Sequence, residues 1–365
     1  MTKKKVLPIA LVAAVWLALA VWSWVRPADA QSTAERRKLA QMPSVSAESL
    51  SSGSFMTAFE SYTQDQFPLR DRFRTLKAAA NLYVLRQLDN NDIYVARGYA
   101  AKQLYPLNES QVARAGQKLT ALYEQYFADT DARVFFAAVP DKGYYLAGQT
   151  GHLTLDFDAL TAQMAALTPW ATQIDLTGAL TLESYYRTDT HWRQEQLGDA
   201  AQTIADALGA DIADEYTAVT LDVPFYGVYY GQAALPLAPD TLTYLTSDTL
   251  AGCTVTNYET GKVGGIYDLD KLTSADLYDV FLSGATPLLS IENPAQDNGK
   301  TLVVFRDSFG STITPLLVPA YSRVIVVDTR YIVPDLVGQF VDFPDSPDVL
   351  FLYSALLLND SGALR

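Results

Sequence analysis

Thr301-Leu302-Val303-Val304-Phe305-Arg306-Asp307-Ser308-Phe309-Gly310-Ser311 is the stretch on which the reading of this chain turns. Its first half, Thr301 to Phe305, is short, apolar and rich in β-branched residues, which predicts a strand buried on both faces. Arg306 to Gly310 ends the run, and the apolar segment Ile313 to Val318 predicts a helix or coil packed back on the sheet. A serine at such a turn sits at the carboxyl end of a strand, where open α/β sheets carry their sites. Backbone N–H groups at a helix start can also stabilise a developing oxyanion. Residue type alone would favour an N-cap role for Ser308. What weighs against it is a second stretch, Thr188-Asp189-Thr190-His191-Trp192.

Asp189 and His191 are separated by one residue, and in an extended segment residues two apart point to the same side. A carboxylate there can fix and polarise an imidazole, which can in turn deprotonate the Ser308 hydroxyl. The chain has only two histidines. His152 follows Gly151, has no acidic or serine neighbour in sequence, and reads as a surface loop residue. A His-rich metal site is excluded by the same count. The single cysteine, Cys253, excludes an intrachain disulfide. A formal net charge of −14 speaks against nucleic-acid binding and against anionic lipid surfaces unless something else holds the chain there. The 365 residues, 49% of them apolar, suffice for one large domain or two small ones.

Lys3-Lys4-Lys5 precedes an uncharged apolar run from Val6 to Val25. Twenty helical residues span roughly 30 Å, the thickness of a bilayer core. The lysines mark the cytoplasmic side, so a single-pass membrane protein with its bulk outside is expected. An uncleaved signal anchor over residues 1–30 is one form of this; a cleavable signal peptide with Ala28-Asp29-Ala30 as its site is the other. Residues 31–54 read as a polar tether. Residues 55–365 read as the main domain.

Phe55 to Phe67 and Leu69 to Leu88 follow helical spacing, broken at Pro68, and Arg70, Arg72, Arg74 and Lys77 read as a solvated face. Ile93–Val95 with Gly98–Tyr99 suggests a small hairpin. Helices are predicted at Glu109–Phe127, Leu153–Leu167 and Gln194–Leu208, and strands at Arg133–Val139, ended by Pro140 to Gly143, at Gln173–Leu176, Arg323–Asp328 and Val349–Ser354. This alternation argues a parallel sheet with helices on its faces. Residues of about 215–300 are dense in tyrosine and threonine and read as a β-rich insertion. Its tyrosines, Tyr216, Tyr226, Tyr229, Tyr230, Tyr244, Tyr258, Tyr267 and Tyr278, suit packing or stacking on sugar rings.

Thr188 to Trp192 resembles the signature of the DHHW proteins and of the AlgX/AlgJ-like SGNH-hydrolase-like O-acetyltransferases. Further segments are similar to that family in order and spacing: Asp65-x-Phe67-Pro68-Leu69-Arg70-Asp71, Val139-Pro140-Asp141-Lys142, Tyr278 to Gly284, Arg306 to Gly310, and Asp328-Thr329-Arg330-Tyr331. Together they cover about residues 55 to 358. Thr190 stands where the name motif has histidine, as in the alginate branch. The sequence runs only a few residues past Tyr353, so no separate carbohydrate-binding module is expected.

The resemblance implies an α/β, SGNH-like α/β/α sandwich with a mostly parallel sheet and a triad of Ser308, His191 and Asp189. It implies a serine O-acetyltransferase or acetylesterase acting on an extracellular polysaccharide or cell-wall glycan, with no cofactor and no metal. The acetyl donor would be supplied by a membrane-bound O-acyltransferase. The alternative is a non-catalytic glycan-binding or scaffolding component of a polysaccharide assembly. Lesser candidates each carry two readings. Arg330 and Tyr331 lie past a strand end, where Arg330 can hold an anionic glycan or form a salt bridge. Gly284 can offer its N–H to an oxyanion beside that of Ser308, or simply turn the chain. Trp192 can wall a substrate pocket or pack.

Overall fold

The computed structural model describes residues 3–32 and 34–365, with the backbone alone for residues 3–6. The lysine cluster that sets the expected orientation thus lies outside the described side chains. Two compact units divide the chain: Met1–Asn91 with Tyr230–Leu237, and Asp92–Tyr229 with Ala238–Arg365.

The larger unit is built on an eight-stranded sheet. In chain order its strands are β1 (Arg133–Val139), β2 (Thr172–Ile174), β3 (Thr254–Asn257), β4 (Val263–Gly264), β5 (Leu288–Glu292), β6 (Thr301–Arg306), β7 (Arg323–Val327) and β8 (Asp348–Ser354). Their order across the sheet is β4-β3-β5-β7-β6-β8-β1-β2. The run from β7 to β2 is parallel, and β5, β3 and β4 pair antiparallel. The five strands expected from the sequence therefore form the parallel core. Residues 215–300 divide: Thr217–Phe225 and Asp240–Thr246 make a separate antiparallel ribbon, whereas β3, β4 and β5 extend the sheet. Of the eight tyrosines open to packing or to stacking on sugar rings, only Tyr226 is exposed, which favours packing for the others.

Alternate residues of each central strand face opposite layers. Leu302 and Val304 join Leu350 and Val326 on one face; Val303 and Phe305 join Phe351 and Ile325 on the other. Each such apolar side chain contributes about 1.5–3 kcal/mol by burial. The second face is covered by Glu109–Tyr126 and Phe157–Leu167, the first by Gly198–Leu208 and Gly310–Leu317, completing an α/β/α sandwich. The register aligns the carboxyl ends: Arg306 lies opposite Leu352, and Ser354 opposite Val139. The turns that follow β6, β7, β8 and β1 thus emerge along one edge.

Local chemistry moves some boundaries. The Pro140 to Gly143 strand end starts a helix, Lys142–Thr150, because the Asp141 carboxylate caps it by accepting from Gly143 N–H at 2.7 Å. The helix expected from Leu153 begins at Phe157, where Asp156 caps Ala159 N–H at 2.9 Å.

In the smaller unit, α1 (Lys3–Val25) contains the one helix among the described residues long and apolar enough to cross a membrane, Leu7–Val25. A signal sequence near the N-terminus passes the same test of length and composition. The helices α2 (Ser54–Asp65) and α3 (Arg70–Ala79) follow, and a wide turn, Ala80–Val84, extends α3. The polar residues before them carry short pairing, Gln31–Ser32 with Arg37–Lys38, and a helix at Ala47–Ser51. The basic face of α3 is only partly solvated: Arg70 and Arg74 pair with Glu35, and Arg37 grips Asp65 at 2.6 and 2.8 Å. The Arg37 pair holds the Asp65 carboxyl down at about 2.

Candidate active site

β6 ends at Arg306, and its turn is tied down before the helix Gly310–Leu317 begins. Asp307 accepts from Phe309 N–H at 3.0 Å with one oxygen and from Ser354 N–H, at the end of the adjacent β8, at 2.9 Å with the other. Gly310 must be glycine, since a Cβ there would sit 2.6 Å from the Arg306 Cβ. Ser308 is lifted partly into solvent at the top of this turn. Among the described residues its hydroxyl caps no backbone N–H, for the N-cap position belongs to Phe309 and has no side-chain cap bond.

The Ser308 Oγ lies 2.7 Å from His191 Nε2, and His191 Nδ1 lies 2.6 Å from Asp189 Oδ1. With Asp189 ionised, and so only accepting, a neutral imidazole in this position carries its proton on Nδ1 and turns the bare Nε2 to the hydroxyl. Asp189 is fully buried and satisfied: it also accepts from His191 N–H at 3.0 Å and from Val228 N–H at 2.8 Å. Gly227 makes that approach possible, because a Cβ there would fall 2.2 Å from the Asp189 Cα. Thr188 anchors the same loop by donating from its N–H and hydroxyl to Asp240.

Two residues without an assigned part in the sequence reading hold this geometry. Lys142 is fully buried, and its ammonium donates to the carbonyls of Tyr186, at 2.6 Å, and Asp189. Burial pulls its pKa down to about 8, with Asp141 and Asp189 pulling the other way. The ring of Tyr278 stacks flat on the His191 imidazole, 3.8 Å between centroids and 8° between planes. Its hydroxyl reaches the Ser308 carbonyl at 3.3 Å and Thr312 Oγ1 at 3.0 Å. Burial pushes this phenol far above its ordinary range, so it stays neutral. The segment Tyr278 to Gly284 and the Pro-Asp-Lys strand end were the visible signals for both residues.

The remaining sequence candidates fall on their bland readings. Trp192 does not wall an open pocket: it is fully buried, and its indole N–H is shared by the Phe309 carbonyl at 3.0 Å and Thr312 Oγ1 at 2.6 Å. It packs the helix Gly310–Leu317 against the Asp189 loop. The Gly284 N–H is committed to the Phe281 carbonyl at 3.1 Å, so it has no donor to spare for an oxyanion. Its carbonyl accepts from the buried Arg306 guanidinium at 3.2 Å. The Ser308 N–H, by contrast, has no hydrogen-bond partner among the described residues. Arg330 forms a two-pronged salt bridge with buried Asp328, at 2.9 and 2.6 Å, and lies over the Tyr331 ring. Burial disfavours its charge, but the Asp328 pair more than offsets this. Tyr331 is exposed. Among the described residues no three His, Cys, Asp or Glu side chains gather as a metal would need.

Residues 180–327 match the family model described as DHHW protein, a span that includes Asp189, His191 and Ser308. No curated protein matches the sequence. Among solved structures, the fold is similar to a DHHW family protein from Eubacterium siraeum, with a TM-score of 0.62 at 24% identity over 75% of this chain and 94% of that one. It is also similar to Bacillus cereus PatB1 carrying a sulfonyl adduct, with a TM-score of 0.56 at 18% identity over 73% and 95% of the two chains. PatB1 described without an adduct gives 0.54 at the same identity. The resemblance to DHHW proteins and the SGNH-like α/β/α fold class that it implied therefore hold.

Proposed function

We propose that this chain is a membrane-anchored serine O-acyltransferase or esterase that acts outside the cell on a glycan hydroxyl or its acetyl ester. The observation that carries the reading is the chain of two short contacts, Asp189 to His191 to Ser308, at 2.6 and 2.7 Å. The nucleophile is the one partly exposed member of the three.

In this scheme His191 Nε2 takes the Ser308 proton as Oγ attacks the carbonyl carbon of the acetyl donor. Asp189 stabilises the imidazolium and stays ionised. The Ser308 N–H is the donor available to the developing oxyanion. Collapse breaks the bond to the donor's leaving group, which takes the proton from Nε2 and departs, leaving acetyl-Ser308. A sugar hydroxyl then gives its proton to Nε2 and attacks the acetyl carbon; Ser308 leaves and is reprotonated by the imidazolium. Water in place of the sugar gives the esterase reaction. A membrane-bound O-acyltransferase would supply the acetyl donor, and α1 would hold the site on the membrane where that donor arrives.

A sulfonyl adduct is named for PatB1. The same chemistry tests this chain. A sulfonyl fluoride should add one sulfonyl group to Ser308, seen by intact mass and peptide mapping, and should abolish both cleavage of an acetyl-ester chromogen and acetylation of a glycan acceptor. A protein that neither takes the label at Ser308 nor turns over an acetyl ester is not this enzyme.

A further inference from the structure

The helix α3 turns its apolar residues outward. Phe73, Leu76, Tyr83 and Val84 recur at helical spacing, and each is 45 to 74% exposed, as is Leu69 before them. Ala78, on the opposite side, is fully buried. Arg70 and Arg74 are held by partners within the unit: both reach Glu35, and Arg74 also donates to the Gly231 carbonyl at 2.7 Å. A helix folded on a protein in water does the reverse and faces its apolar stripe inward. Soluble monomers seldom leave a continuous apolar patch of this kind open. Arg72 and Lys77, both exposed, flank the stripe.

A second observation says what covers it. Phe73 packs edge-on against Phe67 at 5.5 Å, and Phe67 meets Trp16 of α1 at 6.3 Å. Trp16 is nine residues from Val25, about 14 Å at 1.5 Å per residue, which is close to the full depth of one leaflet's apolar layer, about 15 Å. The stripe on α3 is thus continuous, ring to ring, with the lipid-facing surface of α1. The local charge also differs from the rest of the chain: residues 26–91, on the Val25 side of α1, hold nine Lys and Arg against seven Asp and Glu, in a chain of net charge −14.

We infer that the stripe Leu69, Phe73, Leu76, Tyr83 and Val84 is a second membrane contact, laid into the leaflet at the Val25 end of α1. Acyl chains cover the stripe, and Arg72 and Lys77 extend along its margins to anionic headgroups. This rests on the proposed anchoring by α1, and its consequence is that the unit next to the membrane sits in the interface rather than hanging from a tether.

The test uses the full chain in vesicles of phosphatidylcholine and phosphatidylglycerol, with Cys253 replaced by Ser. Single cysteines at Leu76, Val84, Glu60 and Leu17 carry an environment-sensitive dye, and lipids brominated along the acyl chain act as quenchers. Leu76→Cys and Val84→Cys should give blue-shifted emission and quenching severalfold greater than Glu60→Cys. Leu17→Cys reports on α1 alone. Quenching at 17 with water-like, unquenched emission at 76 and 84 overturns the inference and leaves the anchor standing. Blue-shifted emission at 76 and 84 without lipid quenching overturns it in favour of protein coverage. No quenching at 17 overturns the anchor itself.

Discussion

The two histidines stand in surroundings that look alike at first. His191 stacks on Tyr278 at 3.8 Å, and His152 stacks on Tyr94 at 3.9 Å, 14° from parallel. Each has a hydroxyl on a ring nitrogen: Ser308 at 2.7 Å for His191, Thr150 at 3.0 Å for His152. The difference lies in what else holds those hydroxyls. Thr150 is two residues from His152 and is also bonded to the carbonyls of Leu146 and Ala147 in its own helix. Ser308 arrives from 117 residues away, on a turn at a strand end, and its hydroxyl caps no backbone N–H among the described residues. A ring stack and a hydroxyl contact therefore do not by themselves mark a nucleophile. The mark is a hydroxyl with no structural duty, facing an imidazole whose far nitrogen is fixed by a buried carboxylate.

The largest expected effect breaks the pair apart directly. Ser308→Ala and His191→Ala should each lower acetyl transfer about a thousandfold to a millionfold, and the double variant should be little worse than either, because the two act as a unit. Since the Ser308 hydroxyl caps no helix, its loss should change stability by only about 1 kcal/mol or less. His152→Ala should keep wild-type turnover. Glycan acetylation by Ser308→Ala at the wild-type rate would leave a scaffolding protein as the better reading.

A smaller effect probes what holds the His191 side in place. Lys142→Met leaves the Tyr186 and Asp189 carbonyls without their donor, at about 1–3 kcal/mol each, partly offset because no charge is then buried. A net loss of about 2–4 kcal/mol in urea unfolding is expected at neutral pH. The gap should also depend on pH. The Lys142 pKa in the fold is about 8, below its ordinary 10.5. Between those values the unfolded chain holds more protons than the folded one, so wild-type stability rises with pH relative to the Met variant. Below about pH 8 the gap should be flat and smallest. A gap that stays constant from pH 7 to 10 would mean that this lysine is not a buried charge.

These partners explain how far the sequence could be read. The parallel core was legible because runs such as Val134–Val139 are continuous and apolar, and the strand Arg133–Val139 spans the residues expected. The Asp189, His191 and Ser308 grouping was legible because the chain has so few histidines. β3 to β5 were not separable from the tyrosine-rich excursion around them, since short antiparallel strands of Thr, Val and Leu carry no period of their own. The duties of Lys142 and Tyr278 were hidden for a different reason. Each acts on a backbone group 30 or more residues away, and only the fold supplies such a contact. The two readings of Trp192 and of Gly284 could not be separated in the sequence because burial and a committed N–H are tertiary facts.

The smallest effect is the most discriminating, because the two stacks predict opposite signs. The Tyr278 hydroxyl has two polar neighbours, Ser308 O and Thr312 Oγ1, whereas the buried Tyr94 hydroxyl has no hydrogen-bond partner among the described residues. Replacing either tyrosine by phenylalanine preserves the ring under its histidine and removes only the oxygen. Tyr278→Phe should therefore cost about 1 kcal/mol of stability, and turnover should fall severalfold as the Ser308 carbonyl loses its tether. Tyr94→Phe deletes a desolvated group that gains nothing in return, so stability should be unchanged or higher by about 1 kcal/mol, with turnover unaffected. Urea midpoints and acetyl-ester turnover on the same two proteins decide it. Equal losses in both variants would mean that the Tyr94 hydroxyl is tied down as firmly as that of Tyr278. The contrast between the two histidine sites would then rest on the Asp189 carboxylate and the Ser308 turn alone.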